Sequence, residues 1–319
     1  MAAIYGRGTI VPAENFNAER AAAKLRKAMK GIGTDERAII DVLVTHSNSQ
    51  RQEIKRKYKS LYGRDLVEDI QAELGGNFED ICVALLMPQI AYLADCFYDA
   101  LQGLGTDEKC IIEILCTHHN REIEEIKSYF KQKYNKDLEE WITSDTSGHF
   151  QNILRSLASA ARDESVEIDF KKAERDAQRL YDGGVNQFGV DGELFTKILC
   201  SRSASQLQAI FDAYERIAGH SLTAAIRSEF SGDSKETLLA IVYCIKQRNR
   251  YFAKELKECL KGLGTDDSAL VRILVSRSEI DLEDIKEAYL QLFKKDIAED
   301  VAADSSGDFR KALLRVLQP

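Results

Sequence analysis

The chain has 319 residues, only 3 prolines, and abundant Ala, Leu, Ile, Lys and Glu, which favours an all-α fold over a turn-dense β architecture. Its formal net charge of −8 and pI near 5.4 argue against nucleic acid, which is bound chiefly through an excess of Lys and Arg. The same balance argues against unaided attachment to an anionic membrane, so any such attachment needs a cationic bridge.

In chain order, residues 1–14 form a short tail outside any repeat. Met1 to Val11 lack the basic start and apolar stretch of a secretory signal, so a cytoplasmic location is expected. Residues 15–87 make the first module. A helix is predicted over Ala21–Met29, followed by the loop Lys30-Gly31-Ile32-Gly33-Thr34. Thr34 is suited to cap a second helix carrying Asp35 and Glu36 in its first turn and an apolar stripe through Ile39, Val42 and Leu43. Ser49 with Gln52 suggests a capping box for a third helix, whose Ile54, Tyr58, Leu61 and Tyr62 fall at i, i+4, i+7 and i+8. About five short helices per module are expected.

Shifts of 72, 156 and 231 residues bring three further modules into register without gaps, over 88–160, 172–247 and 248–319. Ile54 maps to Ile126, Ile210 and Ile285; Tyr58 to Phe130, Tyr214 and Tyr289; Leu66 to Leu138, Leu222 and Ile297; Gly76 to Gly148, Gly232 and Gly307. The loop recurs as Leu101-Gln102-Gly103-Leu104-Gly105-Thr106 and Leu260-Lys261-Gly262-Leu263-Gly264-Thr265, with a degenerate copy from Val185 to Val190. Residues 161–171 are an extra charged connector, which suggests two pairs of modules joined by an exposed link. The longest apolar run, Leu238 to Ile245, is far shorter than the ~18 residues of a transmembrane candidate. The seven cysteines read as buried thiols: Cys116 and Cys200 occupy a position held elsewhere by Val44 and Val275, and Cys82 aligns with Leu154, Leu238 and Leu313.

A Gly-x-Gly loop between two helices displays the free carbonyls of the preceding helix's last turn, and glycine allows consecutive carbonyls to turn toward one point. An acid stands 42 residues on in every module: Gly31 to Glu73, Gly103 to Asp145, Gln187 to Glu229 and Gly262 to Asp304. Backbone carbonyls plus a carboxylate suit Ca2+ better than Mg2+, whose octahedral demand is tighter. Three or four protein oxygens fall short of the six to eight that calcium takes, leaving water or a phosphate oxygen to complete the shell. Ile32, Leu104, Phe188 and Leu263 lie between the loop glycines. They either dip into a lipid headgroup boundary or pack on their own module, and the sequence weighs the two equally.

Other constellations carry less. The loop is not a dinucleotide fingerprint, because a helix precedes it and the third glycine is missing. No EF-hand spacing occurs. The five histidines lack metal-ligand spacing, and no nucleophile–base arrangement stands out, so an enzyme reading has no site to rest on. Asp41, Glu113, Lys197 and Arg272 share one register on otherwise apolar helices; ion pairing between modules is preferred to a polar centre.

Four modules, the K-G-x-G-T loops with their acids 42 residues on, and the longer connector after the second module together resemble the annexin family over nearly the whole chain. That resemblance implies a slightly curved disc of four five-helix modules. It further implies calcium-dependent binding of acidic, phosphatidylserine-like phospholipids, peripheral residence on the cytosolic face of membranes when calcium rises, and compatibility with self-assembly there. The calcium ligands it implies are the carbonyls of Met29, Gly31 and Gly33 with Glu73; Leu101, Gly103 and Gly105 with Asp145; and Leu260, Gly262 and Gly264 with Asp304. The third loop departs from the pattern, with Gln187 for the first glycine and Val190 for the threonine; there the resemblance implies Gly184, Gln187 and Gly189 with Glu229. The Thr34 carbonyl with Glu36 resembles a secondary calcium site. Rival readings are a calcium-independent helical scaffold for proteins and an ion channel acting through Glu113 and Arg272.

Overall fold

The computed structural model describes residues 6–102, 105–185, 191–261 and 264–319. Among them every regular element is helical. In chain order these are α1 (Ala18–Ala28), α2 (Glu36–Val44), α3 (Asn48–Tyr62), α4 (Leu66–Glu73), α5 (Gly76–Leu86), α6 (Gln89–Leu101), α7 (Glu108–Thr117), α8 (Asn120–Tyr134), α9 (Leu138–Asp145) and α10 (Gly148–Ala158). There follow α11 (Phe170–Val185), α12 (Gly192–Ser201), α13 (Ala204–Ala218), α14 (Leu222–Glu229), α15 (Gly232–Cys259), α16 (Asp267–Arg277), α17 (Leu282–Phe293), α18 (Ile297–Asp304) and α19 (Gly307–Leu317). Non-helical dihedrals at Gln247 break α15 into two helices, so five helices recur per module.

The repeat register is a burial register. Ile54, Ile126, Ile210 and Ile285, the ring positions Tyr58, Phe130, Tyr214 and Tyr289, and Leu66, Leu138, Leu222 and Ile297 are all at most 2% exposed. Leu61 does not belong to this stripe: it is 40% exposed, and its counterpart Ile217 is 37% exposed. Both sit in the last turn of their helix, just before a left-handed glycine, Gly63 or Gly219, where the helix runs past the packed face.

Two caps differ from expectation. Asp35, not Thr34, is the N-cap of α2, its carboxylate accepting from Ala38 N at 3.0 Å. Ser47 and Gln50, not Ser49 and Gln52, form the capping box of α3. In both cases the chain enters the helix where the preceding loop closes, and hydroxyl spacing alone does not reveal that point.

The chain forms two compact units, Met1–Leu93 with Phe252–Pro319, and Ala94–Tyr251. The expected pairing of sequential modules is thereby corrected: first and last share one unit, and the middle two share the other. In the first unit the fully buried Arg51 donates to Leu85 O at 2.6 Å, Leu43 O at 2.9 Å and Glu279 Oε1 at 2.8 Å. Glu279 also accepts from Asn48 N at 2.7 Å, capping α3 from a residue of the last module. The tail joins there too, with Ile10 N donating to Ser278 O and Thr9 Oγ1 to Val316 O at 2.7 Å. Gly8 is required by this approach, since a Cβ would lie 2.6 Å from the Glu279 backbone. In the second unit the connector runs exposed but is anchored: Glu164 accepts from Asn120 N at 2.9 Å, and Asp163 N donates to Ser201 O. The connector lies within a unit because pairing is decided by complementary buried faces, not by linker length.

One core position is solved differently in each module. Tyr58 Oη donates to Asp69 at 2.7 Å, and Arg64 Nε binds the same carboxylate at 2.8 Å. Tyr289 Oη donates to Asp300 at 2.5 Å, with Lys257 at 2.7 Å and Lys295 also bound. The second module replaces charge by rings: Tyr98 stacks on Tyr134 at 3.7 Å and on Trp141 at 5.2 Å, and Lys136 Nζ lies 3.5 Å from the Trp141 ring centroid. The third has Ala225 where the acid would stand, and the Tyr214 hydroxyl is buried without a partner among the described residues. All seven cysteines are thiols outside any disulfide, five buried and Cys96 and Cys116 half-buried; burial pushes the Cys200 thiol up to about 11.

Candidate metal centre

Each interhelical loop is closed in the same way. The N-cap aspartate's amide donates at 2.9 Å to a carbonyl in the last turn of the preceding helix: Asp35 to Ala28, Asp107 to Ala100, Asp191 to Gly183 and Asp266 to Cys259. These aspartates share one repeat register, a signal present in the sequence, where Asp35 alone is marked and as a first-turn acid. The loop glycines take left-handed angles that a side chain resists, with φ of 116° at Gly31, 83° at Gly33, 108° at Gly105 and 110° at Gly264. The carbonyls of Met29, Gly31 and Gly33 accept no hydrogen bond among the described residues, nor do those of Leu101, Gly105, Leu260 and Gly264. The Met29 and Leu101 side chains are buried, so these residues offer only backbone to the loop.

The acids arrive from a second turn. Glu73, Asp145, Glu229 and Asp304 are the last residues of α4, α9, α14 and α18, at the negative end of a helix dipole. Gly76, Gly148, Gly232 and Gly307 follow with φ between 56° and 61°, reversing the chain. The Thr34 hydroxyl donates to Glu73 at 3.1 Å, Thr106 to Asp145 at 2.7 Å, and Thr265 to Asp304. The loop threonine and the acid, 39 residues apart, are thus joined in the first, second and fourth modules.

No cation neutralises these four acids among the described residues. Near Asp304 the local field is negative: Asp267 is raised above the usual carboxylate range by burial and by repulsion from Asp304 and Asp266, against a hydrogen bond from Asn77. No group of three or more His, Cys, Asp or Glu is poised for a metal among the described residues, so a cation here needs backbone oxygen as well. One uncompensated carboxylate, held by a hydroxyl beside unpaired carbonyls, is a donor set for a hard divalent ion with open positions.

Other expected positions divide. Gly103, Leu104, Gln187, Phe188, Gly189, Gly262 and Leu263 lie outside the described residues. Ile32 is 109% exposed, with open space around Gly31 and Gly33, so it does not pack on its own module. In the third module Gly184 is buried near the end of α11, and half-buried Glu229 accepts from Ser228 at 3.4 Å; Val190, at the threonine position, lies outside the described residues. Glu36 is the first residue of α2 and half-buried. Asp41 pairs with Arg315 at 3.3 Å and lies 4.0 Å from Lys24; Glu113 and Arg272 are buried, and Lys197 is exposed. No helix among the described residues is long and apolar enough to cross a membrane.

The annexin family model matches residues 20–85, 92–157, 175–241 and 251–316. Annexin A11 of Homo sapiens is 46% identical over 97% of this chain, which spans 61% of that protein's length. Among solved structures, annexin III superposes with a TM-score of 0.97 at 39% identity, covering 100% of this chain and 99% of its own. A calcium-bound annexin, (Sm)1, superposes at 0.89 with 34% identity, covering 99% of this chain and 93% of its own. With four module-length matches, close identity and a near-complete superposition, the chain belongs to the annexin family.

Proposed function

We propose that this protein binds acidic phospholipid membranes through calcium held in its interhelical loops. The ion is held by the carbonyls of Met29, Gly31 and Gly33 with Glu73, by Leu101, Gly103 and Gly105 with Asp145, and by Leu260, Gly262 and Gly264 with Asp304. The observation that carries this reading is an acid held by a loop threonine in three modules, with no cationic partner among the described residues. The calcium in the related (Sm)1 structure supports the choice of ion.

Each loop supplies too few oxygens to saturate calcium, so lipid phosphate oxygens complete the shell. Calcium alone then binds weakly, and lipid raises calcium affinity by the factor by which calcium raises lipid affinity. Several loops engaging one surface multiply the effect. The exposed Ile32 adds an apolar contact at the headgroup boundary. The third loop, through Gly184, Gln187, Gly189 and Glu229, contributes a weaker site, and Thr34 with Glu36 a secondary one. No catalytic step is assigned.

Co-sedimentation with phosphatidylserine vesicles across a calcium titration, reversed by chelator, tests the reading. Calcium-independent pelleting, or none at any calcium level, would overturn it.

A further inference from the structure

A cleft of about 1030 Å³ opens within the first unit between α1, α2 and α19. Each helix presents an i, i+4 pair to it: Arg20 and Lys24, Arg37 and Asp41, Lys311 and Arg315. Five cations therefore face one carboxylate, on a chain whose net charge is −8.

The cations are only partly satisfied. Asp41 is shared between Arg315 at 3.3 Å and Lys24 at 4.0 Å, and Lys311 pairs with Asp308 at 2.8 Å. Arg20 and Arg37 have no acidic partner among the described residues. The module architecture does not demand this set. Where Arg20 stands, the other modules carry Tyr92, Asp176 and Tyr251; where Arg315 stands, they carry Ala84, Ser156 and Ala240. Ala21, Ile40 and Leu314 make an apolar floor beneath the charged rim.

We propose that this cleft binds a compact anion carrying several phosphate groups, independently of calcium. Guanidinium forks match phosphate oxygens in pairs, and a concave wall of one sign concentrates the field on an entering anion. An anion with several phosphates suits the cleft because its five cations are spread over three helices, with Arg20 on α1 and Arg37 on α2 left to be paired. The volume is that of a small-molecule site, not of a flat surface contact.

The test is calorimetric titration of the full chain in chelator with inositol hexakisphosphate, and in parallel with orthophosphate. The hexakisphosphate is expected to bind one per chain and orthophosphate far more weakly. Arg20→Gln with Arg37→Gln weakens binding by roughly tenfold or more, and Asp41→Asn strengthens it by removing the competing carboxylate. Glu73→Gln with Asp145→Asn and Asp304→Asn leaves it unchanged, which separates the cleft from the loops. In the vesicle arm, phosphatidylcholine containing phosphatidylinositol bisphosphate is used in chelator. Capture that is lost in the arginine variant assigns the phosphates to a lipid headgroup, and absence of capture assigns them to a soluble anion. Absence of hexakisphosphate heat, indifference to the arginine and Asp41 changes, or tighter binding of single-stranded RNA would overturn the proposal.

Discussion

The Thr106 hydroxyl donates to the Asp145 carboxylate at 2.7 Å, joining a loop that ends one helix to the last residue of another, and Thr34 makes the same bond to Glu73. The bond aims the carboxylate without neutralising it. A threonine that positions an acid has a different signature from the acid itself. Glu73→Gln, Asp145→Asn and Asp304→Asn together are expected to abolish calcium-dependent vesicle binding. Thr106→Val is expected to raise the calcium requirement of the second loop by only about 3- to 10-fold, the worth of one hydrogen bond. Calcium titrations of vesicle co-sedimentation on each variant measure both.

The adjacent residues Thr34 and Asp35 separate function from stability. Asp35→Ala removes the cap bond to Ala38 N and is expected to cost about 1 kcal/mol, seen as roughly 2 °C in Tm. Thr34→Ala leaves Tm unchanged and weakens calcium binding. Thermal melts of the pair, set beside calcium titrations, decide whether the roles divide in this way.

Ile32 stands clear of the protein, so Ile32→Asp is expected to leave Tm unchanged while reducing vesicle affinity several-fold at fixed calcium. An equal loss of Tm and binding would mean that the loop packs on its own module.

The four ring positions predict opposite outcomes for one substitution. Tyr289→Phe strips Asp300 of a donor in a buried cluster and is expected to destabilise by about 1–3 kcal/mol. Tyr214→Phe removes a buried hydroxyl that has no partner among the described residues, and is expected to be neutral or stabilising. Tyrosine titration is the poorer probe, because burial pushes Tyr214 up to about 12, and burial with the Asp300 bond pushes Tyr289 higher still. Thermal and urea denaturation of the two variants is the sharper measurement.

Acid should find the first unit's weak points. The Arg64 guanidinium, helped by Tyr58, holds Asp69 below the usual carboxylate range against the opposing effect of burial. At Asp300 burial favours the neutral acid, but the bonds from Lys257, Lys295 and Tyr289 outweigh it and hold the group low. A depressed folded pKa contributes stability that is complete above the unfolded value of about 3.9 and is lost as pH falls through the folded value. Wild-type Tm should therefore fall steeply below about pH 4, and Asp69→Asn, less stable at neutral pH, should show a shallower fall there. Melts from pH 7 down to pH 2 test the difference in slope.

The helical class, the module length, most of the buried positions and the acid register are legible in the chain, because each is a local or periodic property repeated four times. Period and shift were enough to place Ile54, Tyr58 and Leu66 in the core, and the 42-residue spacing singles out Glu73 and Asp145, which the fold joins to the loop threonines. The cap aspartates are in the sequence too, but hydroxyl spacing points to Thr34, because the closing bond from Asp35 to Ala28 is a feature of the folded loop. That the first and last modules share a unit emerges only in the folded chain, since the pairing rests on Arg51, Glu279 and the docked tail, whose contacts span more than two hundred positions. The same is true of Ile32 facing outward and of three helices turning their cations toward one cleft. Which face a side chain meets depends on what packs beside it, and no period within a single module encodes its neighbour.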